Sequence, residues 1–548
     1  MSIQGGTDRP VGIDLRVPLV GDAVVETASY WLVDTQAGTH TGVDIPPFAA
    51  MESPFWFARQ GVDAADFWCA DCTLNILRRG PDGRRQTLYK VDPTTGAALS
   101  IIDERDDVPV LLNADEFAKP NWRQLRNTGE YIWYAQRDGW PQLYLHEQDG
   151  TPVRQIAAGA YVQRDLLLVD ENARTLWTSA QGLCPSGNPY NRHLLRIPMD
   201  GGPAERLTEE PLDHVLSLAP DGVHLIDHMG GPDTPSRIVL RAQSGVEVMT
   251  LAEADAQALF ARGYKPPETV TVCAADGATP LRAAIYTPSD FDPQTRYPVL
   301  DMIYGWSQVT VVPHGFLLDT GGSLAGGIEI AAENALMPQA TAELGFVVVV
   351  IDARGTPFRD RNFWAAAFKE PTGEVALADH CAAIRNCAKD RPWMDLDRVG
   401  ICGHSGGGFM AAKAMMQHAD FFKAGVASAG NHDMRLYHAA WAAVFGATPD
   451  QLARAATPKD AALLKGPLMI AHGDRDENVH IAHSIRLVDA LIAANKDFDF
   501  LVMPGRGHDF TLDPYFVRRR WDHLVRHVMQ ETPPPPHDLI LRDWNDVT

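Results

Sequence analysis

Val399-Gly400-Ile401-Cys402-Gly403-His404-Ser405-Gly406-Gly407-Gly408, running on into Phe409-Met410-Ala411-Ala412, is the stretch that decides the fold. An apolar run enters Gly-x-Ser-x-Gly and leaves as a helix former. Strand, tight turn, helix is the setting of a nucleophile elbow, which lifts a serine clear of a sheet edge. Glycines two before and two after Ser405 let the backbone close around it. The amide of Gly406, at a helix N-terminus, points where an oxyanion would develop. A phosphate-cradling loop would need Lys-Ser or Lys-Thr next, and Phe409 follows instead.

A serine hydroxyl needs a base, and the base needs a carboxylate to orient it. In this fold the order along the chain is Ser, Asp or Glu, then His. Downstream of Ser405, the strand Leu468-Met469-Ile470-Ala471 leads into His472-Gly473-Asp474-Arg475-Asp476-Glu477-Asn478-Val479. Asp474, Asp476 and Glu477 compete there. Asp476 suits the loop best, because Asp474 lies in the turn directly after Gly473. The strand Phe498 to Met503 then precedes Pro504-Gly505-Arg506-Gly507-His508, which puts His508 where the base belongs. His404, His432, His438, His472, His480 and His483 make no metalloenzyme pattern and read as packing and loop residues. No metal and no cofactor are expected.

Outward from this core, the chain after about residue 268 alternates strand-like and helical runs. That pattern means a mostly parallel sheet covered on both faces. Ile481, Ile485, Val488 and Ile492 recur at three- and four-residue intervals and read as one face of an amphipathic helix. A last helix is expected from Tyr515 to Met529, and Pro533 to Pro536 then forbid helix. Residues 20 to 265 have a different grain: short strand-like runs punctuated by Asp82-Gly83, Asp138-Gly139, Asp149-Gly150, Asp200-Gly201 and Asp221-Gly222. Such pairs suit hairpin turns with positive φ at both central positions. Many short strands suggest a sandwich, a barrel or a propeller, and strand counting leaves the choice open.

Composition narrows the function classes. The 548 residues carry a formal net charge of −22, which repels nucleic-acid backbones and anionic lipid. No run approaches the roughly 20 apolar residues that span a bilayer. The first residues lack the basic start and apolar core of a secretory leader. Seven cysteines, an odd number spread along the chain, argue against a disulfide framework. The lone Cys69-x-x-Cys72 reads as part of a strand. These features point to a cytoplasmic protein with no nucleic-acid or membrane partner.

With their neighbours, these motifs resemble the prolyl oligopeptidase family of serine peptidases, nearest to its dipeptidyl peptidase IV branch. The resemblance runs through Asp352-Ala353-Arg354-Gly355-Thr356, the elbow, Gly430-Asn431-His432-Asp433, the His472 to His480 loop and Gly507-His508. In the first half it includes Arg137-Asp138-Gly139-Trp140, Arg192-His193-Leu194, Ser217 to Gly222 and Pro232-Asp233-Thr234-Pro235. It implies a partial β-propeller followed by a C-terminal α/β-hydrolase fold. The expected divisions are 1–265 for the partial propeller, 266–530 for the catalytic domain and 531–548 for a Pro-rich tail. Roughly 245 residues at about 40 to 45 per blade make five or six blades at most.

By resemblance, the catalytic set is Ser405, Asp476 and His508, with Gly406 and Tyr304 as oxyanion donors. Asn478 takes the place of an asparagine that binds a substrate carbonyl. Tyr437 and Trp441, four apart on an expected helix, take the place of the aromatics around a small P1 side chain, and Val479, the last residue of the family's H-G-x-x-D-x-x-V pattern, is counted with the substrate-binding set. Two departures stand out. The usual Y-x-G-P is Tyr304-Gly305-Trp306-Ser307 here, and Gly406 replaces a bulky residue, which is expected to open the site. Leu15 to Asp22 resembles the middle of the family's propeller. The helix bearing paired glutamates for a free amino terminus would lie upstream, so weak aminodipeptidase action is expected. Glu209-Glu210 reads as solvated surface. The implied function is a serine peptidase acting after Pro or Ala, and a homodimer through the hydrolase domain is a further expectation. A carboxylesterase with the same triad is the alternative, and an inactive binding protein is the alternative of another class.

Overall fold

The structure, a computed structural model, describes residues 2–4, 11–13, 18–49, 68–69, 71–114, 118–184, 187–316, 327–446 and 448–535. Its largest sheet has eight strands: β1 (Glu268–Cys273), β2 (Pro280–Tyr286), β3 (Tyr297–Met302), β4 (Val347–Asp352), β5 (Met394–His404), β6 (Ala424–Ser428), β7 (Leu468–Gly473) and β8 (Asp499–Met503). They lie in the order β1-β2-β4-β3-β5-β6-β7-β8. β2 runs antiparallel to β1 and β4, and the strands from β4 to β8 are mutually parallel. Successive residues of a strand point to opposite faces. Val347, Val349 and Ile351 therefore enter one buried cluster, and Val348 and Val350 enter the other. A continuous valine run serves here because both faces are covered.

The first cluster is closed by helices α2 (Arg361–Lys369), α3 (Glu374–Ala388), α4 (Gly406–Gln417) and α6 (Ala482–Ala493). The second is closed by α1 (Gly327–Ala342) and α7 (Pro514–Leu524). A short α5 (Ala439–Phe445) lies between α4 and α6 in sequence. The expected last helix is found, with its final turn, Val525–Met529, widened to a π-helix. The face expected of α6 is corrected. Leu487, Leu491, His483 and Ser484 are buried, whereas Ile485 and Ile492 are 47% and 64% exposed. The hydrogen bond between Ser484 Oγ and His472 Nδ1, at 2.7 Å, fixes the helix's rotation.

The first half forms separate antiparallel sheets, and in those of three or four strands the neighbours follow chain order. Three have four strands, spanning Arg123–Gln155, Val162–Arg206 and Asp213–Glu253, and one spanning Leu74–Arg105 has three. These sheets stack face to face, and an inner one is covered on both sides. In Tyr131–Ala135 all five residues are buried. Tyr131, Trp133 and Ala135 meet Leu77, Leu88 and Ile102 of the preceding sheet. Ile132 and Tyr134 meet Leu176, Leu195 and Ile197 of the following one. Sheets stacked through both faces are the blades of a propeller, so the expected partial propeller and hydrolase fold are both present.

Two local expectations change. At Gly83, Gly150 and Gly222 only the glycine has positive φ. The preceding aspartate instead accepts an N–H two residues on, at 3.0 Å from Arg84, 2.9 Å from Thr151 and 2.9 Å from Val223. These are Asx-stabilised turns and not the doubly left-handed kind. Cys69 and Cys72 lie outside the strand, which starts at Leu74. They close a turn through Cys72 N–H to Cys69 O, 3.1 Å.

The halves meet around Phe358 to Arg361, just past β4. Gln181 Nε2 donates to Phe358 O at 2.6 Å, Arg164 stacks over the Phe358 ring at 3.8 Å, and Arg361 Nε donates to Asp106 at 2.8 Å. Among the described residues no helix is long and apolar enough to cross a membrane.

The tightest packing in the hydrolase half is at the elbow. A Cβ added at Gly407 would collide with the carbonyl oxygen of Ile303, and one at Gly403 with the carbonyls of Gly407 and Ile303. Gly407→Ala is therefore expected to lower the thermal midpoint by about 3–10 °C. Scanning calorimetry checks this, and a parental midpoint would contradict it.

Candidate active site

Ser405 directly follows β5 and is the N-cap residue of α4, with φ 57° and ψ −120°. A non-glycine residue at positive φ is strained and persists only where its surroundings over-determine it. Here its N–H donates to Ser428 O on β6 at 2.9 Å, and glycines 403 and 407 allow the close approach of β3. The geometry turns the hydroxyl to the C-terminal rim of the sheet.

On that rim, His508 Nε2 lies 3.0 Å from Ser405 Oγ, and His508 Nδ1 lies 2.7 Å from Asp476 Oδ2. His508 and Asp476 are buried, at 5% and 1% exposure. Asp474 is elsewhere: it accepts the N–H of Gly505 at 2.6 Å. Asp476 Oδ1 accepts from the backbone of Asn478 at 3.0 Å and of Val479 at 2.7 Å. Burial pushes the Asp476 carboxyl up, but hydrogen bonds from His472 and His508 outweigh it and hold the group well below the usual range. For His508, burial acts downward, and the hydrogen bond and charge of Asp476 win and raise it above 6.5.

His472, read from sequence as a packing residue, is a fully buried support. Its Nε2 donates to Val479 O at 2.7 Å and lies 3.2 Å from Asp476 Oδ2. The signal was present, since His472 opens the loop that carries Asp476.

Tyr304 follows β3, and its hydroxyl is within hydrogen-bonding reach of Ser405 and of the Gly406 N–H. Burial raises its pKa, so it stays a protonated donor. The expectation that Gly406 opens the site is corrected. A Cβ there would stand 3.2 Å from Trp306 and 3.3 Å from Tyr304. Trp306, 2% exposed, fills the space and stacks on Phe445 at 4.6 Å. The small residue at 406 and the large one at 306 are complementary, so one departure from the family pattern accounts for the other.

Tyr437 precedes α5 and does not lie on a helix. Its φ and ψ are −92° and 154°, and His438 is the cap residue of α5. Its hydroxyl donates to Asn478 Oδ1 at 2.5 Å, so these two candidates are joined. Trp441 lies within α5, partly buried against the main core and edge-on to Phe445 at 5.9 Å. Val479 is 1% exposed in that core, so its backbone rather than its side chain serves the site. Glu209 pairs with Arg206, and Glu210 with Arg241 at 3.0 Å.

A hydroxyl, an imidazole and an ionised carboxylate in a buried line can pass a proton while the hydroxyl attacks an acyl carbon. The Gly406 N–H and Tyr304 O–H converge where negative charge would develop.

Comparison with known proteins agrees in both halves. The model of the Prolyl oligopeptidase family matches residues 333–530. That of the Dipeptidyl peptidase IV (DPP IV) N-terminal region matches residues 13–236. Dipeptidyl peptidase 8 of Mus musculus is 31% identical over 360 residues, 63% of this chain and 38% of that protein. Dipeptidyl peptidase 4 of Arthroderma otae is 25% identical over 98% of this chain and 67% of that protein. The crystal structure of Porphyromonas gingivalis dipeptidyl peptidase 4 has the same fold, with a TM-score of 0.78 at 21% identity, over 96% of this chain and 71% of that one. The chain thus spans about two fifths of the length of the first of these relatives.

Two outcomes follow from the geometry. Asp476→Asn is expected to lower kcat about 10⁴-fold by reversing the His508 tautomer, and Asp474→Asn less than about tenfold; steady-state kinetics on both variants checks the order, and the reverse order would contradict it. Attack requires neutral His508, whose pKa is raised, so kcat/KM should climb with pH through a midpoint above 6.5. A pH–rate profile with its ascending midpoint below that value would contradict the Asp476 contact.

Proposed function

The chain belongs to the prolyl oligopeptidase family, in its dipeptidyl peptidase IV-like branch, and we propose on that footing that it is a serine peptidase cutting peptide bonds after proline or alanine. The observation that carries this reading is His508 bridging Ser405 at 3.0 Å and Asp476 at 2.7 Å.

In the proposed reaction His508 Nε2 takes the proton from Ser405 Oγ as the oxygen attacks the scissile carbonyl. The resulting imidazolium is held by Asp476, and the oxyanion by Gly406 N–H and Tyr304 O–H. His508 then protonates the leaving amine, and water enters by the reverse path to release the acyl group. Asn478, oriented by Tyr437, receives a substrate carbonyl. Tyr437 and Trp441 face the P1 side chain, with Val479 backing the loop that holds them. The peptide is the only partner in this scheme, and no cofactor takes part.

The finer assignments belong to the same proposal. Residues 1–265 form the propeller domain that screens access, 266–530 the catalytic domain and 531–548 an appended tail. Seven free cysteines and the acidic charge support a reducing, cytoplasmic setting. Pairing of two chains through the hydrolase domain completes the proposal.

Hydrolysis of Gly-Pro-, Gly-Ala- and Gly-Leu-p-nitroanilide is to be compared with that of p-nitrophenyl acetate. Cleavage of the Pro or Ala anilide at least about tenfold faster than the Leu anilide is expected, since a fitted pocket discriminates by about 1–3 kcal/mol. Turnover of the ester with no anilide hydrolysis would favour the carboxylesterase, and turnover of neither the inactive binding protein.

A further inference from the structure

At the rim opposite Ser405, where β8 begins and the last helix ends, three metal-ligating side chains converge. His523 lies in the last turn of α7, His527 lies one turn on in the π-helical segment, and Asp499 opens β8. Each offers one ligand atom, and these atoms all lie within 4.8 Å of one another. The two imidazoles sit four residues apart on one face, with ring centres 4.6 Å apart. We infer a binding site for one first-row divalent cation, zinc above all, held by Asp499, His523 and His527.

The contact between His523 Nδ1 and Asp499 Oδ2 is 3.3 Å. A hydrogen bond to a carboxylate normally closes to about 2.7–2.9 Å, as His508 and Asp476 do at 2.7 Å in this same molecule. By contrast, about 3.3 Å is the edge of a tetrahedron whose metal–ligand bonds are about 2.0 Å. His523 is 3% exposed, so its Nδ1 has Asp499 and not solvent beside it, and a metal bond at that nitrogen would replace the long contact.

Two nitrogens and one oxygen suit Zn²⁺, Co²⁺ or Ni²⁺ and not Mg²⁺ or Ca²⁺, which prefer oxygen. The Asp499 side chain is 59% exposed, so the fourth position is open to water. The site joins β8 to α7, the two elements that flank the loop carrying His508. Its role is to brace that strand–loop–helix unit, with no part in the chemistry. Sequence reading expected no metal because it weighed the histidines around the elbow. Asp499 meets the His-x-x-x-His pair only through the packing of α7 beside β8.

The test uses the full chain freed of metal by a chelator. Co²⁺ is titrated by visible absorption, Zn²⁺ by calorimetry, and Mg²⁺ serves as the control. One equivalent of Co²⁺ or Zn²⁺ is expected to bind in the micromolar range or tighter, with a rise in the thermal midpoint and no response to Mg²⁺. His527→Ala and Asp499→Asn change partly exposed residues and leave the fold intact by circular dichroism. Each should weaken binding at least about tenfold and abolish the thermal rise, while anilide or ester hydrolysis by metal-free protein stays unchanged. Failure of the parent chain to bind either metal at a hundred micromolar would overturn the inference. So would binding that both variants leave intact, which would put the metal elsewhere.

Discussion

Everything at the active rim depends on one close approach of backbone to backbone. β3 and the start of α4 come so near that no Cβ fits at Gly407, and none fits at Gly403 on β5. That contact holds Ser405 at positive φ and exposes its hydroxyl. It also brings Tyr304, directly after β3, beside the Gly406 amide. Nucleophile and both oxyanion donors are thus set by a single constraint, before any side-chain network is considered. The strain of order 1–3 kcal/mol stored at such a residue is offset by the buried sheet around it.

The base and its carboxylate arrive from two neighbouring strands. β7 and β8 run parallel and end together, so the loops after them place Asp476 and His508 side by side. His472 and the Val479 backbone then lock Asp476 from behind. The propeller half touches this machinery through the segment after β4, where Gln181, Arg164 and Asp106 grip Phe358 and Arg361. That segment leads directly into α2, which packs in the same cluster as the elbow helix α4.

What was legible in the sequence was what is local or ordered along the chain. The elbow is one contiguous run, and the order serine, aspartate, histidine fixes which loops share a rim. The strands of the large sheet were readable because a run of valines buried on both faces has few other uses. Legibility failed where meaning depends on what packs opposite. Gly406 looked like an open door until Trp306 proved to fill it. The isoleucines of α6 gave a tidy apolar stripe, yet the helix turns Leu487 and Leu491 inward because Ser484 is tied to His472. Tyr437 and Trp441 have helical spacing, but the chain is extended at Tyr437. Strand counting leaves propeller and sandwich open, the family resemblance selects the propeller, and alternate residues of Tyr131–Ala135 packing against different sheets bear it out.

The account stands on Ser405 being a nucleophile activated by its surroundings. Labelling the native chain with a fluorophosphonate and mapping the modified peptide by mass spectrometry tests this most directly. The account predicts one adduct per chain, on Ser405, lost when the protein is unfolded before labelling. An unlabelled native chain, or an adduct on another residue, would contradict it.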